Sequence, residues 1–296
     1  MNLVIGATGM LGSEICRLLR KENKAVRAMV RKTADPIKIN RLKELHIEVV
    51  YGDLRQPATF KPALKDVNAI ITSASSMPFS YAAGTNHPEL VDRKGMIKLI
   101  DEAKKAGIKR FVYTSFTGNI NIDFPLSSAK RAVEAHLKKS GIVYTILRPG
   151  YFMEAWLTAM VGFDVAEGKI QICGDGIKPV SYISYKDVAR YATECMNNPA
   201  ARNATLELGG PQKLSQLEAV RIFEETMGKK FTIQHTPLAA IKSQFETATD
   251  PMQKSFAGLM LCLAKGDPID MNELTEKYNL RLSTVREYAK GLAVKV

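Results

Sequence analysis

Cysteine is scarce in this chain, and its few copies are scattered. Cys16, Cys173, Cys195 and Cys262 form no C-x-x-C pair and no regular spacing, which argues against both a zinc site and a disulfide framework and suits a reducing compartment. Long apolar runs are also missing: none approaches the roughly 18 residues of a membrane span, so no transmembrane segment is expected. The apolar strand from Leu3 follows the first residues at once, so no leader peptide is expected and the expected location is cytoplasmic. There is no internal repeat, low-complexity tract or proline-rich linker to mark a domain boundary. The net charge of +12 admits nucleic acid or an anionic surface as a partner. Its lysines and arginines are spread over many segments and do not alternate with aromatic residues, so no specific nucleic-acid partner is expected and the charge reads as a solvated surface.

What is present begins at once. Leu3, Val4 and Ile5 form an apolar strand that runs into Gly6, Gly9 and Gly12, and a helix over 13–21 and a second strand over 25–30 follow. A strand that enters a helix through glycines presents the helix's unpaired N–H groups and positive dipole end to an anion. The expected division of labour gives Gly6 the tight reversal, Gly9 the close approach to a pyrophosphate and Gly12 the close packing of helix on sheet. Thr8, Met10 and Leu11 complete the phosphate-binding turn. The spacing G-x-x-G-x-x-G departs from G-x-G-x-x-G, and a turn that binds nothing is the bland alternative.

The second strand points to one dinucleotide. Arg31 stands nineteen positions after Gly12, followed by Lys32, where a chain specific for NAD carries a carboxylate for the ribose. A guanidinium grips a phosphate through two parallel hydrogen bonds and a carboxylate repels one, so the expected cofactor is NADP(H). The alternative is a basic pair that only solubilises a loop.

Further apolar strands are expected over 48–51, 69–72, 110–114 and 143–147, separated by segments of helical spacing. That alternation predicts an α/β fold, a doubly wound parallel Rossmann sheet with a smaller C-terminal α/β lobe. Residues 1–150 would make the NADP-binding region and 151–296 mainly the substrate lobe, with some segments returning to the main sheet. In the second half, helices are expected over 186–196, 215–227 and 238–264 and strands over 204–208 and 231–235. Ser215 and Glu218 form a capping-box pattern. A ligand crevice forms at the carboxyl ends of such strands, where Gly52, Asp53 and Leu54, then Ser73, Ala74 and Ser75, then Thr114 and Ser115 fall. Asp53 either accepts from an adenine amino group or is a turn residue, and Ser115 either anchors the nicotinamide ribose or ends a strand.

The chain resembles atypical short-chain dehydrogenases/reductases of the NmrA-like branch, which includes isoflavone-reductase-like enzymes, triphenylmethane reductase and photosystem assembly factors. The residues that carry the likeness are the turn from Gly6 to Gly12, Arg31, Gly52-Asp53-Leu54, and the runs 107–115, 144–150, 182–189 and 282–290, so it spans essentially the whole chain. It implies the Rossmann fold and NADP(H), and it makes the chain either a reductase or a non-catalytic NADP(H)-binding sensor or assembly protein. Members of the wider family use Tyr-x-x-x-Lys; here Lys130 is present but Leu126 stands where the tyrosine would be, and leucine passes no proton. The expected catalytic residues are Lys130 and Ser115, and Ser127, Ser128 or Tyr113 are alternative proton sources. Lys130 could instead form an exposed i,i+4 pair with Glu134. A conjugated hydride acceptor such as a quinone, enone or dye needs little acid help, and aldehydes complete the expected substrate class.

Pro149, Gly150, Tyr151 and Phe152 are expected beside the nicotinamide. Met77, Phe79, Tyr81, Phe116, Phe152 and Trp156 would make an apolar, aromatic wall for a small apolar or aromatic substrate; core packing is the alternative for Phe152 and Trp156. Residues 79–88 have the composition of a mobile flap, and His87 is its one candidate proton donor. Met252, Phe256, Leu259, Met260 and Leu263 form an apolar face for either a substrate pocket or a subunit contact, in a monomer or homodimer.

Overall fold

A computed structural model describes residues 1–78 and 80–293; Phe79, expected as a substrate contact, lies outside them. The elements in chain order are β1 (Asn2–Ile5), α1 (Met10–Lys21), β2 (Val26–Val30), α2 (Pro36–Glu44), β3 (Glu48–Tyr51), α3 (Phe60–Leu64), β4 (Ala69–Thr72), α4 (Met96–Lys105), β5 (Arg110–Thr114), α5 (Pro125–Lys139), β6 (Val143–Pro149), α6 (Met153–Trp156), β7 (Phe163–Asp164), β8 (Lys169–Cys173), β9 (Pro179–Val180), α7 (Tyr185–Asn197), β10 (Ala204–Leu208), β11 (Leu214–Ser215), α8 (Gln216–Met227), β12 (Thr232–Thr236), α9 (Leu238–Thr247), α10 (Pro251–Lys265), α11 (Asn272–Tyr278) and α12 (Val285–Ala293). None of the described helices is long and apolar enough to cross a membrane.

Seven strands form a parallel sheet in the order β3-β2-β1-β4-β5-β6-β10. Its inner strands β2, β4 and β5 are buried at every position, as apolar strands covered on both faces must be, while the edge strand β3 is partly exposed. The chain reverses its direction of winding between β1 and β4, the switch point where a doubly wound sheet opens a crevice. Val4 pairs with both Ala28 and Ile71, which puts the turn after β1 beside the ends of β2 and β4. One core cluster runs from Leu3 and Ile5 through Phe60, Leu99 and Phe111 to Val133 and Ile146. Each large apolar side chain buried there contributes about 1.5–3 kcal/mol.

The chain divides into two compact units. The first comprises Met1–Ser115, Pro125–Arg148 and Val188–Leu206, and the second Phe116–Phe124, Pro149–Asp187 and Glu207–Val296. The second unit has its own three-stranded sheet, β7-β8-β12, in which β12 runs parallel to β8 and β7 antiparallel, and a short β9-β11 ladder. Ser215 and Glu218 close a full capping box at the start of α8.

The single helix expected over 238–264 is two. Pro251 has no N–H to donate and disfavours the helical conformation of the residue before it. α9 therefore ends at Thr247, and Asp250 caps a new helix by accepting from the N–H groups of Met252 and Gln253. The expected helix over 13–21 begins three residues earlier, at Met10.

Candidate cofactor and active site

In the first unit, the turn between β1 and α1 is built by its glycines. Gly6 has φ +85°, and a Cβ there would lie 2.8 Å from the Ala74 backbone nitrogen, so the turn is packed against the loop after β4. At Gly12 a Cβ would fall 2.1 Å from the Gly6 carbonyl oxygen, a separation no atom pair tolerates. Gly9 is looser, with only the Gly6 oxygen nearby at 3.3 Å; its bare backbone is exposed. The first N–H groups of a helix have no intrahelical acceptor, and no side chain caps α1 at Gly9. The first turn holds no acidic residue, so nothing there repels an anion. Thr8 is half-buried, Met10 is exposed, and Leu11 turns its side chain into the core, leaving only its backbone for a ligand.

Arg31 and Lys32 follow β2 directly, Arg31 half-buried and Lys32 exposed. Gly52 is pressed under Met29, whose sulfur would lie 2.6 Å from a Cβ, and the carbonyl of Leu54 packs as closely on Gly95. The Asp53 carboxylate accepts from the Arg55 N–H and holds the Arg55 guanidinium at 2.5 Å. The hydrogen bond from Arg55, with the charges of Arg55 and Arg31, keeps the Asp53 carboxyl below the usual range despite partial burial. Arg55 was not among the expected site residues; its guanidinium also donates to Thr85 O. Ser73, Ala74 and Ser75 are half-buried after β4, and Ser75 Oγ accepts from Met77 N–H.

Lys130 occupies the centre of this unit's polar chemistry. It is 5% exposed, donates to Thr114 O at 3.2 Å, lies 5.3 Å from the Tyr113 ring centre, and stands 3.8 Å from Asp92 Oδ1. The exposed pair with Glu134 is thus not what forms: Lys130 is buried, and its charge partner is Asp92 on the π-helical segment Glu89–Gly95. Asp92 Oδ2 accepts from Ser76 N–H at 3.0 Å and Ser76 Oγ at 2.6 Å, so the carboxylate is fixed before the lysine reaches it. Burial pushes the Lys130 ammonium below its usual range, and the charge of Asp92 opposes that. Thr114 Oγ1 and the Tyr113 hydroxyl are buried without hydrogen-bond partners.

Ser115 Oγ donates to Glu134 Oε1 at 2.5 Å. Glu134 also receives Arg131 at 2.6 Å and a bidentate Arg148. Burial works against its ionisation, but these donors and charges hold its carboxyl below the usual range. Leu126 is buried and supplies no proton. Met77, Tyr81 and His87 are half-buried. Asn86 is buried and Ala82 and Asn86 form a backbone bridge; His87 O accepts from the N–H groups of Leu90 and Val91 in the π-helical segment.

The remaining expected residues belong to the second unit. Phe116 is half-buried against Phe124. Pro149 O accepts from Thr117 N–H, and Gly150 N–H donates to Leu208 O. Tyr151 is buried with its hydroxyl donated to Leu259 O at 2.9 Å, and burial raises its pKa well above the ordinary phenol value. Phe152 bridges to Ile183. Trp156 meets Tyr151 edge-on at 4.9 Å and stacks on Phe256 at 5.8 Å.

Asp92, the charge partner of Lys130, was not among the expected site residues. A carboxylate 38 positions before the lysine it serves leaves no periodic trace.

The family model for the NmrA-like family matches residues 2–289. The photosystem II assembly factor Ycf39 of Trieres chinensis is 30% identical over 81% of this chain and 73% of its own length. An NAD(P)H azoreductase of Xenophilus azovorans is 29% identical over 77% of this chain and 74% of its own. Among solved structures, the quinone oxidoreductase of Escherichia coli complexed with NADPH superposes with a TM-score of 0.80 at 24% identity, over 99% of both chains. With nearly its whole length matched, this chain belongs to the NmrA-like family.

Proposed function

We propose that the chain is an NADPH-dependent reductase that delivers hydride to a small conjugated or carbonyl-containing organic substrate of the quinone, enone, dye or aldehyde class. The observation that carries this reading is the uncapped, acid-free start of α1 in the same unit as a basic pair at the end of β2 and a buried lysine of α5 bonded to Thr114 at the end of β5. These residues fit an NADP dinucleotide. Met10, Leu11 and Gly12 offer backbone N–H groups to the pyrophosphate, Gly9, whose own N–H donates to Gly6 O, leaves room for it to approach, and Arg31 with Lys32 takes the 2′-phosphate. Asp53 and Arg55 border the adenosine, and the small residues Ser73, Ala74 and Ser75 leave space beside it. Lys130 takes the nicotinamide ribose, and Thr114 Oγ1, buried without a partner, is a second polar group available to it. When bound, NADPH supplies the hydride.

Lys130 has one donor occupied by Thr114 O and its charge balanced by Asp92, so other N–H bonds are free to act on a ligand. Its acidity, raised by burial, makes it the proton source where the acceptor is a carbonyl. Ser115 is bound to an ionised Glu134 and holds the end of β5 in place. Met77, Tyr81, His87, Phe116, Phe152 and Trp156 are proposed as substrate contacts, and a cytoplasmic location is proposed for the protein.

A spectrophotometric screen of NADPH oxidation against quinones, enones, dyes and aldehydes tests the reading; turnover with at least one class is expected. The second reading is an NADP(H)-binding assembly or sensor protein, favoured by Leu126 and by the relative named as a photosystem II assembly factor. Tight NADPH binding with no oxidation in any class would select it.

A further inference from the structure

The second unit carries a partly open cavity of about 340 Å³, and of the substrate contacts proposed above only Trp156 lines it. Its walls come from α6 and the turn after it, β7, β8, α8, β12, α9 and α10. Phe256, Met260 and Leu263 present one face of α10 to it, and Trp156 stacks on Phe256 at 5.8 Å with the rings 9° from parallel. Cys173, Gln171, Gln216, Thr236 and Gln244 supply the polar part of the lining.

The charge of this lining is its most selective property. In a chain with 42 Lys and Arg and 30 Asp and Glu, none of the cavity's lining residues is Asp, Glu, Lys, Arg or His. Burial pushes the Cys173 thiol up to about 11 and the Tyr182 phenol above its ordinary range, so both stay neutral at physiological pH. An ion brought into such a space loses its hydration and meets no counter-charge; the polyanionic dinucleotide is therefore excluded. Polar selectivity is limited as well. Gln216 is consumed by Cys173, accepting from its N–H and donating to its carbonyl at 3.0 Å each, and Gln171 donates to Thr236 Oγ1 at 2.7 Å. Gln244 is exposed on α9 at the edge of the cavity, where an amide can take one polar atom of an occupant. The size lies in the range of small-molecule sites, and the aromatic planes with two flexible methionines, Met160 and Met260, suit a flat ring system of variable outline.

We propose that this cavity binds an uncharged, flat aromatic molecule of two or three fused rings, seated beside Trp156 and Phe256 with one polar atom toward Gln244. The site gives the reductase reading its acceptor class and rests on that reading only for turnover; binding itself does not.

Trp156 is the only tryptophan in the chain and lines this cavity, so tryptophan fluorescence reports a ligand bound there. The whole protein without cofactor is titrated with 9-fluorenone, a neutral planar ketone, and with 9-fluorenone-4-carboxylate, while calorimetry counts sites. Saturable quenching by fluorenone with one site per chain is expected, and the carboxylate should bind at least about tenfold more weakly. Met260→Phe, which fills the space with apolar atoms, should weaken fluorenone about tenfold with its melting temperature preserved. Gln244→Lys, at an exposed position, should improve the carboxylate relative to the ketone. Linear quenching equal to that of free N-acetyltryptophanamide overturns the proposal, as does equal affinity for the two probes or an unchanged affinity in a folded Met260→Phe protein. NADPH oxidation in the substrate screen alongside linear quenching sinks the cavity and spares the reductase; saturable quenching with no oxidation does the reverse.

Discussion

Replacing Asp92 by Asn removes one charge from the interior and leaves its partner behind. Lys130 is buried with Asp92 as its counter-charge at 3.8 Å, and Asp92 is 1% exposed and held by Ser76. Removing one member of a buried pair costs about 3–5 kcal/mol, because the other is left uncompensated. The Asn side chain still accepts from Ser76, so most of that loss belongs to the stranded ammonium. The pH dependence follows from the lysine. Burial already holds its folded pKa below the unfolded value, and loss of Asp92 lowers it further. An unfolded chain that binds the extra proton is favoured as pH falls, so the penalty is full below the folded pKa and fades as pH rises toward the ordinary lysine range. Urea unfolding of the parent, Asp92→Asn, Lys130→Met and the double variant at pH 7 and pH 9.5 measures this. Asp92→Asn should lose about 3–5 kcal/mol at pH 7 and less at pH 9.5, and adding Lys130→Met should recover part of the loss. A loss under about 0.5 kcal/mol, or additive single effects, would refute the reasoning.

The Cβ of Gly12→Ala would sit 2.1 Å from the Gly6 carbonyl oxygen, so α1 must move away from the turn. A loss of about 1–3 kcal/mol in stability and weaker NADPH binding are expected by thermal melting and calorimetry; unchanged binding would mean the helix N-terminus does not hold the pyrophosphate. Tyr151→Phe removes a hydroxyl donated to Leu259 O and should cost about 1 kcal/mol in stability with kcat unaltered in steady-state assay. A collapse of kcat in that variant would make Tyr151 a proton relay.

The parts of this molecule that could be read from the chain were those whose determinants lie close together in it. The turn from Gly6 to Gly12 and the strand ends carrying Arg31, Gly52 and Thr114 are contiguous patterns, and the parallel sheet follows from the alternation of apolar strands and helices. Ser215 and Glu218 announced a helix start that the structure completes in full. The break at Pro251 was legible in principle, but the apolar face running on through Phe256 and Met260 masked it. Long-range partners left no such mark. Lys130 was visible as a residue, whereas its pairing with Asp92 depends on a π-helical segment that places the carboxylate against α5. The β8-β12 pairing joins strands some sixty residues apart, and although β8 alternates over Lys169–Ile172, β12 does not. The cavity in the second unit is assembled from seven separate elements, so sequence left Phe256 and Met260 undecided between a pocket and a subunit contact.

The central claim is the phosphate clamp at the end of β2, and calorimetry of NADPH and NADH binding to the parent and to Arg31→Ala tests it most directly. A charge-assisted hydrogen bond is worth about 1.5–3 kcal/mol. The parent should therefore prefer NADPH by about 10- to 150-fold, and Arg31→Ala should lose most of that preference by weakening NADPH while leaving NADH unchanged. Equal affinities in the parent, or an equal loss for both nucleotides in the variant, would contradict the account.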